Sequence, residues 1–168
     1  MAESERQRMI SSSEISSKTA SLDPALHAFG FQMDEISPKR LTGRLQVTEK
    51  CCQRFKVLHG GISALIAESL ASMGAHMASG FKRIAGIQLS INHIRSANLG
   101  DLVMAEARPI NAGNTIQVWE VKLWKLNHTS PSSDRALISS SRVTFLSNMP
   151  VPENAIHAAD PLKKYARL

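Results

Sequence analysis

With 168 residues, a mass of 18.4 kDa and 43% hydrophobic content, the chain can form one domain with a core that needs no covalent staples, and it is too short for a second domain. The formal net charge is +6 and the pI near 9.7, yet Lys and Arg are scattered, with no single run interleaved with aromatics. A phosphate-bearing small molecule explains that balance as well as nucleic acid does, and a bland basic surface is a third reading; no nucleic-acid partner is expected.

Residues 1–22 are rich in Ser, Glu, Arg and Lys and lack a compact apolar run, which predicts a disordered leader and no secretory signal. A short helix is expected over residues 23–30, with Asp23 at the N-cap, Pro24 at the first helical position and Gly30 at the end. Strands follow around Gln32 to Ile36 and Arg40 to Val47, the second alternating Leu41, Gly43, Leu45 and Val47 with polar neighbours. The connecting stretch from Thr48 to Leu58 holds both cysteines, Cys51 and Cys52. Being adjacent, they cannot close a long loop and lack the spacing of a zinc site, which fits a reducing compartment.

The next helix, His59 to Ser79, carries the most information. From Ile62 onward it is Ile, Leu, Met, Ala, Ser and Gly, with His76 and a single formal charge, Glu68. A helix apolar on nearly every side is buried or spans a membrane. Its length would permit a span, but the central carboxylate, the histidine, the serines and a glycine argue for a core helix and no membrane span.

Four strand-like runs follow Gly80: Ile87 to Ile91, Leu102 to Ile110, Thr115 to Leu126 and Leu137 to Leu146, with a polar loop over 127–134. In the third run the apolar phase shifts between Val118 and Trp119, which predicts a bulge and a strongly curved sheet. The order of two strands, one long buried helix and four strands reads as an α+β domain over residues 23–151: an antiparallel sheet curled around one helix, its last four strands pairing as a meander. One sheet cannot cover such a helix completely, so a second subunit is expected. Residues 152–168 form a polar tail expected to be mobile after Pro161. Its end, Ala166-Arg167-Leu168, has the small–basic–leucine form of the peroxisomal address and predicts peroxisomal localisation through the import receptor.

The chemistry gathers at the helix start. His59-Gly60-Gly61 opens the helix where backbone N–H groups lack intrahelical partners and the dipole is positive, so a carbonyl oxygen can be polarised there; alone, the paired glycines would more simply permit a tight opening turn. A lone carboxylate in an apolar helix is costly unless a cleft solvates it or a partner pairs with it, which makes Glu68 a candidate base or nucleophile. The competing reading is a buried ion pair with an arginine. Ser72 lies at i+4 on the same face and can hold the carboxylate or a water.

Gln53, His59-Gly60-Gly61, Glu68 and Ser72, in that spacing, resemble the motif of the hotdog-fold thioesterases of the 4-hydroxybenzoyl-CoA type that carry glutamate on the central helix. Residues 23–151 are most similar to the plant peroxisomal 1,4-dihydroxy-2-naphthoyl-CoA thioesterases of phylloquinone synthesis. The resemblance implies a hotdog fold and hydrolysis of an aromatic acyl-CoA, with Gly60 and Gln53 polarising the thioester carbonyl. Glu68 of the facing subunit would act as nucleophile or general base, His59 would orient the thioester or assist the leaving thiolate, and Ser72 would position Glu68 or the water. For His59, a purely structural backbone bond is an equal alternative. The resemblance also places Gly61, Gly86, His93, Ile94, Arg95, Ser96, Asn111, Gly113, Asn114 and Thr115 against the CoA portion, and implies a tetramer of two dimers. No cofactor is expected, CoA being part of the substrate, and no metal, since the six His are not at ligand spacing. A broad fatty acyl-CoA thioesterase, a hydratase and a non-catalytic acyl-CoA-binding module are the competing functions; the depth of Glu68 within the helix disfavours the hydratase.

Overall fold

The computed structural model describes residues 13–126 and 135–168, so residues 1–12 of the leader and the polar loop 127–134 lie outside the described residues. The elements are α1 (13–22), α2 (Pro24–Ala28), β1 (Gln32–Ser37), β2 (Arg40–Gln46), α3 (Gly60–Ala78), β3 (Arg83–His93), β4 (Leu102–Ala112), β5 (Ile116–Leu126), β6 (Arg135–Met149) and α4 (Asp160–Tyr165). All six strands form one antiparallel sheet that curves around α3, the hotdog arrangement.

Local chemistry explains several boundaries. Asp23 Oδ1 accepts the Leu26 N–H at 3.0 Å, Pro24 opens α2, and Gly30 ends the segment at φ 82°. His59 and Ser79 flank α3 as caps. Strands alternate inward and outward residues, so Trp119, Val121 and Leu123 of β5 and Val143 and Phe145 of β6 face the helix and are buried.

The meander holds for β4, β5 and β6 but not for β3, which pairs with β6 at the far edge, in the order β1-β2-β4-β5-β6-β3. The reason is α3. It carries the chain across the concave face from β2 to the opposite edge, and the loop after β3 brings it back so that β4 pairs beside β2. The apolar phase shift in β5 also has another origin than a bulge there. Burial alternates without a break from Gln117 to Leu123, because Gln117 takes an inward position: its Nε2 donates to Ala75 O at 3.1 Å and its Oε1 accepts the Trp119 Nε1–H at 3.0 Å. The extra residue opposite the Val118–Trp119 step is Ile110, on β4.

The leader and the tail depart from expectation as well. Residues 13–22, read as part of a disordered leader, are helical, and the hydroxyl of fully buried Thr19 accepts the Met33 N–H at 3.0 Å while Lys18 Nζ donates to Asp34 O at 3.0 Å. Helix α1 is thus tied to β1 through polar groups, which a search for apolar runs does not register. The tail folds too. Leu162 of α4 is buried, and the Arg167 N–H donates to Ile36 O at 2.9 Å.

Helix α3 lies so close to the sheet that a Cβ at Gly74 would fall 2.4 Å from the Trp119 ring and 2.9 Å from Leu41 Cδ1. Gly74→Ala is therefore expected to destabilise the fold by roughly 1–3 kcal/mol through overpacking, despite the ~1 kcal/mol gain in helix propensity. Urea unfolding measures it, and a stabilised variant would refute the tight contact.

Candidate active site

Helix α3 begins with four N–H groups that the helix itself cannot satisfy. Three of them are occupied. His59 N–H donates to Cys51 O at 2.8 Å, Gly61 N–H to His59 Nδ1 at 2.9 Å, and Ile62 N–H to His59 O at 2.9 Å. Gly60 N–H is the one without a protein partner among the described residues, and it stands at the positive end of a 19-residue helix. His59 therefore caps its own helix: with Nδ1 accepting, its ring proton lies on Nε2, on an exposed side chain.

Gly60 borders a cleft of about 360 Å³ that also gathers Gln53, His93, Ile94, Arg95 and Ser96. The Gln53 side-chain oxygen accepts the Phe55 N–H at 2.9 Å, which leaves its amide NH2 as the donating end. Any side chain at 60 would strike the imidazole of His93, whose Nε2 lies 3.0 Å from the position of a Cβ. Arg95 Nη1 donates to Leu137 O at 3.1 Å, and its guanidinium is otherwise exposed. Phe55, which sequence reasoning passed over, is 86% exposed two residues from Gln53. Nothing in the sequence separates it from a core aromatic.

Glu68 sits eight residues beyond Gly60, about 12 Å along the axis at ~1.5 Å per residue. The feared arginine clamp is absent: among the described residues its carboxylate accepts one hydrogen bond, from Ser72 Oγ at 3.3 Å, and forms no ion pair. Glu68 is half-buried, with Leu65, Ser72 and His76 on the same half-covered face of α3. Gly86 of β3 lies directly against it, since a Cβ there would be 2.6 Å from Glu68 Oε1. Ser72 in turn borders a second cavity, of about 460 Å³.

The remaining predicted residues are not brought to the cleft within one chain. Asn111, Gly113, Asn114 and Thr115 form the end of β4 and the turn to β5. Ser147 holds that turn: its Oγ donates to Asn114 O at 2.8 Å and its N–H to Thr115 O at 2.8 Å. Ile116 pairs with Leu146, and Leu146 with Ala85, whereas His93 pairs with Ser139, so the turn lies at the opposite end of the sheet from His93–Ser96.

This geometry can be set beside known proteins. Residues 55–132 match the family described as Thioesterase superfamily. The chain is 54% identical over 143 residues, 85% of its length, to 1,4-dihydroxy-2-naphthoyl-CoA thioesterase 2 of Arabidopsis thaliana, spanning 91% of that protein. The chain belongs to the thioesterase superfamily. A more distant thioesterase relative, 1,4-dihydroxy-2-naphthoyl-CoA hydrolase of Escherichia coli, is 30% identical over 55% of this chain and 68% of its own. The crystal structure of a Haemophilus influenzae thioesterase superposes with a TM-score of 0.61 at 28% identity, over 73% of this chain and 80% of that one. No helix among the described residues of this thioesterase is long and apolar enough to cross a membrane.

Because Gly86 abuts the carboxylate and not a backbone, Gly86→Ala is expected to move Glu68 at little structural cost. The expected result is a fall in kcat of about 100-fold with stability within about 1 kcal/mol of the parent, read by acyl-CoA turnover and thermal unfolding. Unchanged turnover would mean that the position of Glu68 does not matter.

Proposed function

We propose that this enzyme hydrolyses an aromatic acyl-CoA thioester, 1,4-dihydroxy-2-naphthoyl-CoA, to 1,4-dihydroxy-2-naphthoate and CoA, as a step of phylloquinone biosynthesis. The observation that carries the chemistry is a carboxylate on an apolar helix that, among the described residues, has one weak hydrogen bond and no cation, and whose partner Ser72 borders a cavity. A carboxylate so placed is free to act as base or nucleophile. The similarity to relatives named for that naphthoyl-CoA supports the acyl group.

The thioester carbonyl accepts from Gly60 N–H and the Gln53 amide. Either Glu68 attacks the carbonyl carbon to give an anhydride that water then opens, or it takes a proton from a water that attacks directly. In both routes the C–S bond breaks, CoA leaves as a thiolate that gains a proton, and the acid is released. His59 Nε2–H serves the departing sulfur, and Arg95 and His93 receive the CoA phosphates.

One carbonyl must lie near ~3 Å from both its donors and its attacking group, which the ~12 Å between Gly60 and Glu68 on one helix forbids. Two copies resolve the conflict. Among the described residues no strand pairs with the outer edge of β3, which carries exposed Ile87 and Leu89. Two-fold antiparallel pairing along that edge sets the Gly86 end of one strand against the His93 end of its partner. Glu68 of one subunit then faces the Gly60 cleft of the other, and the Asn111–Thr115 turn approaches the partner's Arg95. We propose such a dimer, with two dimers forming a tetramer, and delivery to the peroxisome through Ala166-Arg167-Leu168, where Leu168 is exposed.

Glu68→Gln is expected to lower kcat by between about 100- and 10,000-fold while CoA binding by calorimetry stays within about threefold of the parent. Mixing it, after subunit exchange, with the equally impaired Gly60→Val variant should restore activity, because each mixed dimer then holds one intact composite site. Parental turnover by Glu68→Gln would remove the catalytic assignment, and failure to complement would remove the shared site. A fluorescent fusion placed at the N-terminus should collect in peroxisomes and, once Leu168 is deleted, should not; peroxisomal signal persisting without Leu168 would refute the address.

A further inference from the structure

We propose that the segment from Val151 to Lys163 is the outer wall of the acyl pocket, and that His76 on its inner wall accepts a hydrogen bond from the ring hydroxyl of the acyl group that is farther from the thioester carbonyl. The inference rests on the hydrolase reading above and extends it to acyl recognition.

Ser72 joins the two parts of the site. Its hydroxyl donates to Glu68 Oε1, and the same residue borders the cavity of about 460 Å³, so the space begins one side chain away from the reacting carboxylate. That volume is within the range of pockets that enclose small organic ligands. One side is the last turns of α3, with Met73 and His76, together with Phe81; the other is the tail, which contributes Pro152, Ala155, Ile156 and Ala159. The tail keeps its place because Leu162 is buried in the core and the Arg167 N–H is bonded to β1. Alanines at 155, 158 and 159 leave the space open where larger side chains would close it.

The lining chemistry narrows the occupant. Thioether and aromatic groups from Met73 and Phe81 suit a flat ring. Arg83 and Lys163 are the charged residues of the lining and no carboxylate belongs to it, which favours an oxygen-bearing, electron-rich group over a cation. Lys163 Nζ lies 5.2 Å from the centre of the Phe81 ring.

His76 supplies the directional element. Its Nε2 is 3.2 Å from Phe81 O, and a carbonyl only accepts, so Nε2 carries the proton. Burial holds the imidazole pKa below its ordinary value, the Phe81 carbonyl acts in the opposite sense, and the charge of Lys163 lowers it further. The ring is therefore neutral near pH 7, and Nδ1, an acceptor, has no partner among the described residues. A hydrogen-bond donor such as a ring hydroxyl is the group it can take. Both hydroxyls of a 1,4-dihydroxy-2-naphthoyl group lie on the ring that bears the carbonyl, and the 4-hydroxyl, the farther of the two from that carbonyl, is the one His76 takes when the group enters at Glu68.

The test uses the full chain, with 1,4-dihydroxy-2-naphthoyl-CoA, 2-naphthoyl-CoA and benzoyl-CoA as substrates. Ala155→Trp, which fills the space beside the tail, should lower kcat/KM for the two-ring substrates at least about tenfold and leave benzoyl-CoA within about twofold. His76→Leu should reduce the preference for the dihydroxylated over the plain naphthoyl ester about tenfold, and His76→Gln, which keeps an acceptor and a donor, should restore most of it. Thermal unfolding monitors the fold, with Ala155→Leu as the milder filler. Equal effects on all three esters, or none, would overturn the tail wall while leaving the hydrolase intact. An unaltered preference in His76→Leu would overturn the hydroxyl contact. If Glu68→Gln turned over all three esters like the parent, the underlying reading would fail instead.

Discussion

The structure depends on covering a 19-residue helix that is apolar on nearly every side. In water α3 would expose Ile66, Leu70 and Met77 together with the alanines between them, at a cost of ~25 cal/mol per Å² of apolar surface. The sheet meets this demand by curving: β2 and β4 to β6 lay inward residues along the helix, and Gly74 lets the Trp119 ring reach the helix backbone. Gln117, bonded to Ala75 O, fastens the same turn by a hydrogen bond, which fixes the rotation of the helix about its axis as well as its depth. What the sheet leaves half-covered is one stripe, Leu65, Glu68, Ser72 and His76, and the proposed chemistry lies on that stripe.

Because α3 and β3 run antiparallel against one another, the two ends of the site are set by one register. Gly60 at the helix start meets His93 near the end of β3, and Glu68 meets Gly86 near its beginning. Both contacts are made through glycine, where a side chain would intrude on a functional group. The contact at Gly60 keeps an N–H open beside the imidazole; the one at Gly86 seats the carboxylate against the sheet. A shift of the helix along its axis would disturb both at once, so core packing and the geometry of the proposed site are one constraint here.

Much of this could be read from residues alone because the signals were strong and local. Asp23-Pro24 marked a helix start through capping chemistry, and the unbroken apolar run around Glu68 announced both a buried helix and an odd carboxylate. What escaped the reading was decided by tertiary contacts. Gln117 looked like a break in alternation, yet it is inward because the helix offers Ala75 O as a partner. The edge position of β3 follows from where α3 delivers the chain, which no pattern within β3 encodes. Helix α1 and the tail looked polar enough to stay loose, but each is anchored by one or two buried groups, Thr19 and Leu162, against a sheet formed elsewhere in the sequence. Within the site, the residues at the helix start were legible from their spacing. The tail side of the cavity was not, since Ala155 and Ala159 matter there for the room they leave.

The weakness of the Glu68–Ser72 bond is itself informative. A carboxylate has about four lone-pair sites, and one hydrogen bond of 3.3 Å leaves most of them unfilled. A buried ion pair would have lowered the energy of the charged form and with it the readiness of the group to take a proton or attack a carbon. Among the described residues no cation pairs with Glu68, and the stripe it belongs to borders open space at Ser72 and His76, from which water or substrate can approach the carboxylate. The same opening that lets water reach the charge is the one by which the proposed thioester would reach it. The half-covered face of α3 is thus explained by the chemistry as well as by the limits of a six-stranded sheet.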